Sequence, residues 1–265
     1  MIKTSATVFA NNNRKKIAII SVRKKGLRLA LKIKAALPQS KIYTPQYKNT
    51  LKDLTGILFS EYDGIIFCMA LGIVTRIIAP FIKDKHSDPA VVCVDDQGRF
   101  AISVLSGHEG GANHLAILVS NIIASQPVIT TATDAAKNIV IGIGCKRGIT
   151  KEEVIKALEV ALVKAKVSLR KLRCAATIDL KRSEAGLKDG CLELGVPLQF
   201  IAKDLIRNFQ GHYQRSSFVK NKIGVEGVSE PCALIAARNP RLIMAKRKVG
   251  MVTVAVVREQ LKILG

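Results

Sequence analysis

Short apolar runs alternate along this chain with amphipathic stretches and polar turns. Residues 17–22 form the first run; Lys24, Lys25 and Gly26 follow, and then a helical pattern extends to Leu37, where Pro38 stops it. Ile42 and Tyr43 start a second strand. An amphipathic stretch from Leu51 to Phe59 leads into the apolar residues 64–68. Strand alternating with helix at this spacing predicts a parallel sheet covered on both faces. Residues 91–94, the polar turn 95–98 and residues 100–103 read as a hairpin. A helix is expected from just after Gly111 to about Ala124, and a further strand at 127–130.

The pattern restarts at Asn138. Residues 139–144 read as a buried strand that enters a basic turn, Cys145 to Gly148. Thr150 and Glu153 have the spacing of a capping box and open a helix reaching about Lys164. Residues 173–180 and 196–201 supply further strands, and 242–257 a closing hairpin. The expected fold class is therefore α/β: two α/β domains, each a mostly parallel sheet flanked by helices. The expected boundaries are a polar N-terminal extension over 1–16, a first domain over 17–137 and a second over 138–265.

Composition narrows the picture. The chain has 265 residues, of which 48% are hydrophobic and 23% charged, which argues for a folded core. No apolar run reaches the length of a membrane span; residues 64–80 come nearest, and Arg76 interrupts them. With no signal-peptide pattern at its start, a cytoplasmic protein without a membrane partner is expected. The six cysteines are scattered, without C-x-x-C or a Cys/His ligand cluster, so reduced thiols are expected and no protein-held metal. The net charge is +22, spread over both halves, with no acidic residue before Asp53. An even spread with no Trp and 5% aromatics favours a polyanionic small substrate over dedicated nucleic-acid binding.

Among polar segments, 105–113 stands out. It sets His108 among Gly107, Gly110 and Gly111, after a strand and before a helix. Exposed helix amides there could hold an anionic oxygen, and an imidazole at such a turn could move a proton near neutral pH. A structural histidine is the competing reading. The glycines at 142, 144 and 148 resemble a dinucleotide fingerprint but are one residue too long before the third glycine, so they read as a strand-to-helix turn. Its amides, with Lys146 and Arg147, suit carboxylates or phosphates. Residues 130–134, with Thr131, Thr133 and Asp134, put hydroxyls and a carboxylate at a strand's exit.

These segments together resemble the CbiG family of cobalamin biosynthesis, the cobalt-precorrin-5A hydrolases. The similar runs are Arg76-Ile-Ile-Ala-Pro80, Lys85-His-Ser-Asp-Pro89, Leu105-Ser-Gly-His108 with Gly110-Gly-Ala-Asn113, and Thr130-Thr-Ala-Thr-Asp134. In the second half they are Gly142-Ile-Gly-Cys-Lys-Arg-Gly148, Ile178-Asp-Leu-Lys-Arg-Ser-Glu184 with Gly186, and Gly227-Val-Ser-Glu-Pro-Cys-Ala233. Two departures accompany them. Many family members carry a middle segment where this chain has only residues 135–137, and Glu109 and His114 differ from the family's usual residues.

The resemblance implies opening of a δ-lactone on a cobalt-containing macrocycle, with a two-carbon fragment leaving as acetaldehyde. No separate cofactor is implied, because the cobalt belongs to the substrate. His108 and Asp95 are the expected catalytic groups. Arg76, Lys85, Ser106, Gly107, Gly110, Gly111, Asn113, Thr131, Thr133, Lys146, Arg147, Lys181 and Glu184 are the expected substrate-binding residues. The expected partner is the cobalt-precorrin tetrapyrrole, with a homodimer or contact with other enzymes of the route left open. The alternative is a non-catalytic corrinoid or tetrapyrrole carrier; a basic nucleic-acid-associated protein comes third.

Overall fold

The computed structural model describes residues 16–45 and 48–260, so the expected polar extension lies almost wholly outside the described residues. The chain divides into two compact units, residues 1–135 and 136–265. Both are α/β, each a mixed sheet flanked by helices. Among the described residues no helix is long and apolar enough to cross a membrane.

The first unit runs β1 (Ile17–Ser21), α1 (Lys24–Ala36), β2 (Lys41–Tyr43), α2 (Lys48–Glu61), β3 (Gly64–Cys68) and α3 (Leu71–Ile78). It continues through β4 (Ala90–Val94), β5 (Phe100–Leu105), α4 (Ala112–Ile123), β6 (Gln126–Val128) and the short α5 (Ala132–Ala135). The sheet order is β2-β1-β3-β4-β5-β6. All pairs are parallel except β4 with β5, the hairpin. Every residue of β1, β3 and β4 is buried, which is why these strands read as continuous apolar runs and not as alternating ones. Leu51 and Leu58 of α2 and Val74 and Ile78 of α3 cover one face, against Ala18, Ile20, Ile65, Phe67 and Val91. The apolar segment 64–80 is thus a buried strand followed by a short helix that buries Val74 and Ile78 against the sheet and leaves Leu71 and Ile73 exposed.

The second unit runs β7 (Ile139–Cys145), α6 (Lys151–Lys164), β8 (Leu172–Ile178), α7 (Ala185–Glu193) and β9 (Leu198–Ile201). Then come α8 (Lys203–Arg207), α9 (Ser217–Ile223), α10 (Ser229–Ala236), β10 (Pro240–Val249) and β11 (Val252–Glu259). Its sheet order is β10-β11-β7-β8-β9, with β7, β8 and β9 parallel and β11 antiparallel to both neighbours. The capping box forms: Thr150 Oγ1 accepts from the Glu153 amide at 3.3 Å, and the Glu153 carboxylate accepts from the Thr150 amide at 3.0 Å. One sheet face packs Ile139, Ile141 and Ile143 against Val154, Leu158 and Leu187. The other packs Val140, Ala176 and Ile178 against Cys232 and Ala233 of α10. The strand expected to continue to residue 180 ends at Ile178, because Asp179 opens a single tight turn in which its carbonyl accepts from the Arg182 amide.

Glu230 is 1% exposed and anchors this unit from inside. Its carboxylate accepts from the Gln214 amide and, at 2.6 Å, from the Lys246 amide, tying the irregular segment before α9 to an irregular part of β10. Glu230→Gln turns one acceptor oxygen into a donor facing a backbone N–H. The expected cost is ~1–3 kcal/mol, to be read from urea unfolding; an unchanged midpoint would refute the anchoring role.

Candidate functional site

In the first sheet β5 and β6 run parallel to each other and opposite to β1, β3 and β4. The loop after β5 and the turn after β6 therefore open at the same edge. Ser106 turns the chain there with φ +56°, a left-handed conformation that non-glycine residues seldom adopt, and Gly111 turns it again at φ +90° to start α4. The loop closes on itself: the Ser106 carbonyl accepts from the Ala112 amide (3.1 Å) and the Gly107 carbonyl from the Asn113 amide (2.9 Å). A side chain at Gly110 would meet Ser106 Cβ at 2.4 Å, so the two ends of the loop touch.

Asn113, 7% exposed, locks this loop to its neighbours. Its Oδ1 accepts from Ser103 Oγ at 2.8 Å, and its Nδ2 donates to Thr131 Oγ1 and Asp134 Oδ2, each at 3.0 Å. Thr131 in turn donates to Asp134 at 2.8 Å. The segment 83–89 packs alongside, with the Asp88 carbonyl 3.4 Å from where a Gly110 Cβ would stand. His108 projects from this braced loop, exposed to solvent and without a hydrogen-bond partner among the described residues. The amides of residues 107–111 likewise have no acceptor among the described residues. The exposed imidazole of His108 thus stands on a loop held in shape by its neighbours.

The geometry redistributes several of the expected roles. The amides at the start of α4 are not open to an anion, because the loop's own carbonyls take the first two. Asn113 and Thr131 brace the loop through their side chains, and Gly107 and Gly110 give the close contacts it needs. Ser106 Oγ is buried and has no hydrogen-bond partner among the described residues. Thr133 and Lys85 are exposed at this edge. Arg76, also exposed, lies in the last turn of α3, where its guanidinium donates to the Gly72 carbonyl at 3.4 Å.

Asp95 does not join His108. It lies before β5 and His108 after it, so the whole strand, roughly 20 Å at ~3.3 Å per residue, separates them. Its carboxylate instead pins the hairpin, accepting from the Arg99 amide (2.7 Å), the Phe100 amide (2.8 Å) and Arg99 Nε (3.1 Å). Burial works to raise its pKa, but these hydrogen bonds outweigh it and hold the carboxyl below its ordinary range. A carboxylate so held is a poor proton acceptor.

In the second unit the turn after β7 also differs from expectation. Lys181 and Glu184 are nearly buried and pair at 3.2 Å. Lys181 donates to the Lys146 carbonyl at 3.0 Å, and Glu184 accepts from the Gly148 amide at 2.8 Å. They hold the turn in place, and their charges are already answered. The Lys146 amide, bound to the Met251 carbonyl at 3.3 Å, is taken as well. Lys146 and Arg147 keep exposed side chains. If the two clamp a substrate carboxylate, neutralising either, as Lys146→Gln or Arg147→Gln, raises KM several-fold with kcat retained, since such a clamp binds ground and transition states alike. An unchanged KM at low ionic strength would assign both to the general basic surface.

All six cysteines are free, and five are buried. Burial pushes the Cys68 and Cys93 thiols up to about 12, which leaves them unreactive fillers of the first core. Among the described residues no three His, Cys, Asp or Glu side chains are grouped to hold a metal ion.

Family models place this geometry. Residues 53–134 match the cobalamin synthesis G N-terminal model, and residues 139–257 match the cobalamin synthesis G C-terminus model. The chain belongs to the CbiG family. Its CbiG halves stand in the family's order and cover the loop of His108 and the turn of Lys146 respectively. The cobalt-precorrin-5A hydrolase of Priestia megaterium is 25% identical, with 90% of this chain and 94% of that protein covered. The cobalt-precorrin-5A hydrolase of Salmonella typhimurium is also 25% identical, over 73% and 81% respectively. Protein CobE of a Sinorhizobium species is 30% identical over 44% of this chain and 77% of its own length. The alignment with the Priestia protein runs over 351 positions, longer than the 265 residues of this chain, so that relative carries residues with no counterpart in this CbiG.

Proposed function

We propose that this CbiG is a cobalt-precorrin-5A hydrolase, opening the substrate's δ-lactone and releasing acetaldehyde to give cobalt-precorrin-5B. The observation that carries the reading is His108, exposed on a braced loop in a chain matched by both family models. His108 takes a proton from water as it attacks the lactone carbonyl. The amides of 107–111 face the oxygen on which charge develops, and Asn113 keeps them from moving as it forms. Opening the ring frees a hydroxyl on the carbon that will leave. When the carbon–carbon bond breaks, its electron pair enters the conjugated macrocycle, whose cobalt is part of the substrate. The exposed cations Arg76, Lys85, Lys146 and Arg147 suit the substrate's carboxylate arms, and Thr133 offers a hydroxyl at the His108 edge.

A second reading is a corrinoid-binding protein without turnover. The residues of the Priestia relative that have no counterpart here favour it. Anaerobic incubation of the purified protein with cobalt-precorrin-5A, with acetaldehyde assayed by a coupled dehydrogenase, separates the two. Stoichiometric or greater acetaldehyde supports the hydrolase. Corrinoid binding without acetaldehyde supports the carrier.

A further inference from the structure

The carboxyl edge of β1, β3 and β4 lies a whole strand away from His108 and holds exposed side chains that nothing above employs. Ser21 of β1 is level with Cys68 of β3, and Cys68 with Val94 of β4, so residues 22–25, 69–73 and 95–96 leave the sheet side by side. The sheet order reverses at β1: the chain runs from β1 outward to β2 and then back across to β3. Right-handed crossovers then carry α1 to one face and α2 to the other, where α2 and α3 cover the core. The chain after β1 and the chain after β3 therefore diverge. Open α/β sheets hold ligands in the crevice that such a divergence leaves.

Cations and apolar side chains meet at this edge. Gly26 seats α1 on the strand ends: a Cβ there would stand 2.5 Å from the Cys68 carbonyl oxygen and 2.7 Å from Ser21 Oγ. The residues just ahead of it, Arg23, Lys24 and Lys25, are exposed. Arg23 reaches across the end of β3 to Asp96 at 3.6 Å, with its side chain 73% exposed, and such an open pair holds it only weakly. Lys24 and Lys25 have no ion-pair partner among the described residues, and the first turn of α1 holds no acidic residue. Three cations gathered at the positive end of a helix repel one another and the helix dipole, so their placement lowers stability unless an anion answers it. Beside them Val22, Leu71 and Ile73 are 40%, 38% and 37% exposed. Leu71 continues the apolar row of Val74 and Ile78 out to the sheet's edge, past the core that those two fill.

We propose that this edge is a second binding site for a tetrapyrrole, separate from the His108 loop. Val22, Leu71 and Ile73 offer contact to a flat apolar ring, and Arg23, Lys24 and Lys25 meet the carboxylate arms that extend from its rim. A small anion such as free phosphate would leave the apolar side chains in water, and a neutral apolar molecule would leave the cations unanswered. A ring with anionic arms satisfies both. The choice of ligand rests on the corrinoid reading above, whether the protein turns the ring over or only carries it. A ring held here stands at the opposite end of the strands from His108, so the site keeps a tetrapyrrole on the protein outside the chemical step.

The test is a lysine-acylation footprint of the full chain, read residue by residue by mass spectrometry, with and without cobyrinic acid, a corrinoid whose arms end in carboxylates. Lys24 and Lys25 are expected to react several-fold more slowly when it is present, while the exposed Lys32, further along α1, keeps its rate. Cobinamide, the same ring with amide arms, should protect them far less. Replacing both exposed apolar residues, Leu71→Ser with Ile73→Ser, should raise the half-protecting concentration about tenfold, with the unfolding midpoint unchanged. Unaltered Lys24 and Lys25 rates at concentrations where calorimetry shows binding would overturn the second site and leave the corrinoid reading standing. Equal protection of Lys32 would reduce the effect to the general basic surface and overturn it as well. Equal protection by cobinamide would overturn the role of the cations, and an unmoved half-protecting concentration in the double variant would overturn the ring contact. Cobyrinic acid that does not bind at all would remove the site, while acetaldehyde release from cobalt-precorrin-5A would still decide the hydrolase reading.

Discussion

Replacing His108 by alanine is expected to lower acetaldehyde-forming turnover by ~100- to 10,000-fold, the range a single proton-transfer group supplies. Stability should stay within about 0.5 kcal/mol of wild type, because the imidazole is exposed and holds nothing in place. The loop's shape depends on other residues: the Ser106 and Gly107 carbonyls, the Asn113 side chain and the contact at Gly110. All of these remain in His108→Ala. Lactone opening itself should be the step lost, so no ring-opened hydroxy acid should accumulate. Turnover near wild type in a folded His108→Ala protein would remove His108 from the mechanism and leave the amides of 107–111 without a proton carrier.

Gly142→Ala is expected to have the largest effect on folding. A Cβ there would stand 1.7 Å from the Ser229 carbonyl oxygen and 3.0 Å from Ala233 Cβ. The obstacle is backbone at the start of a buried helix, so no side-chain rotation relieves it, and α10 must lift off the sheet. Overpacking usually costs ~1–3 kcal/mol, and an overlap with fixed backbone belongs at or above the top of that range. Against the ~5–15 kcal/mol by which domains are stable, the second unit should melt well below wild type or fail to express in soluble form. The other two glycines of the motif differ in kind. At Gly144 the nearest atom is a movable side-chain oxygen, Thr253 Oγ1 at 2.6 Å. At Gly148 there is open space and only a φ of +73° to satisfy, for which alanine should cost about 1 kcal/mol. A ranking by thermal unfolding other than Gly142 worst would contradict this account.

That ranking also shows why the motif misleads when read as a string. Gly-x-Gly after a strand resembles a phosphate-binding turn, yet here its first glycine exists because a helix from elsewhere in the chain lies on it. Only the packing of residues 228–233 against β7 reveals the difference. Lys181 and Glu184 teach the same lesson. Each looks available as a single letter, and each is consumed by the other and by the 146–148 turn. Asp95 and His108 stand at opposite edges because β5 runs antiparallel to β4 and carries His108 away from the turn that holds Asp95. Glu230 went unassigned because burial leaves no trace in spacing.

Local order was legible because local physics produces it. The alternation of apolar runs with helical periods, Pro38 as a stop, the Thr150–Glu153 cap and the β4–β5 hairpin all depend on neighbours within a few residues, and the sequence alone determined them. It also determined the α/β class and, through motifs spread over both halves, the family. Which polar groups remain open for chemistry was decided only by the tertiary structure. A side chain's availability depends on whether a residue tens of positions away, such as Glu184 for Gly148 or Asp134 for Asn113, has already claimed its hydrogen bonds.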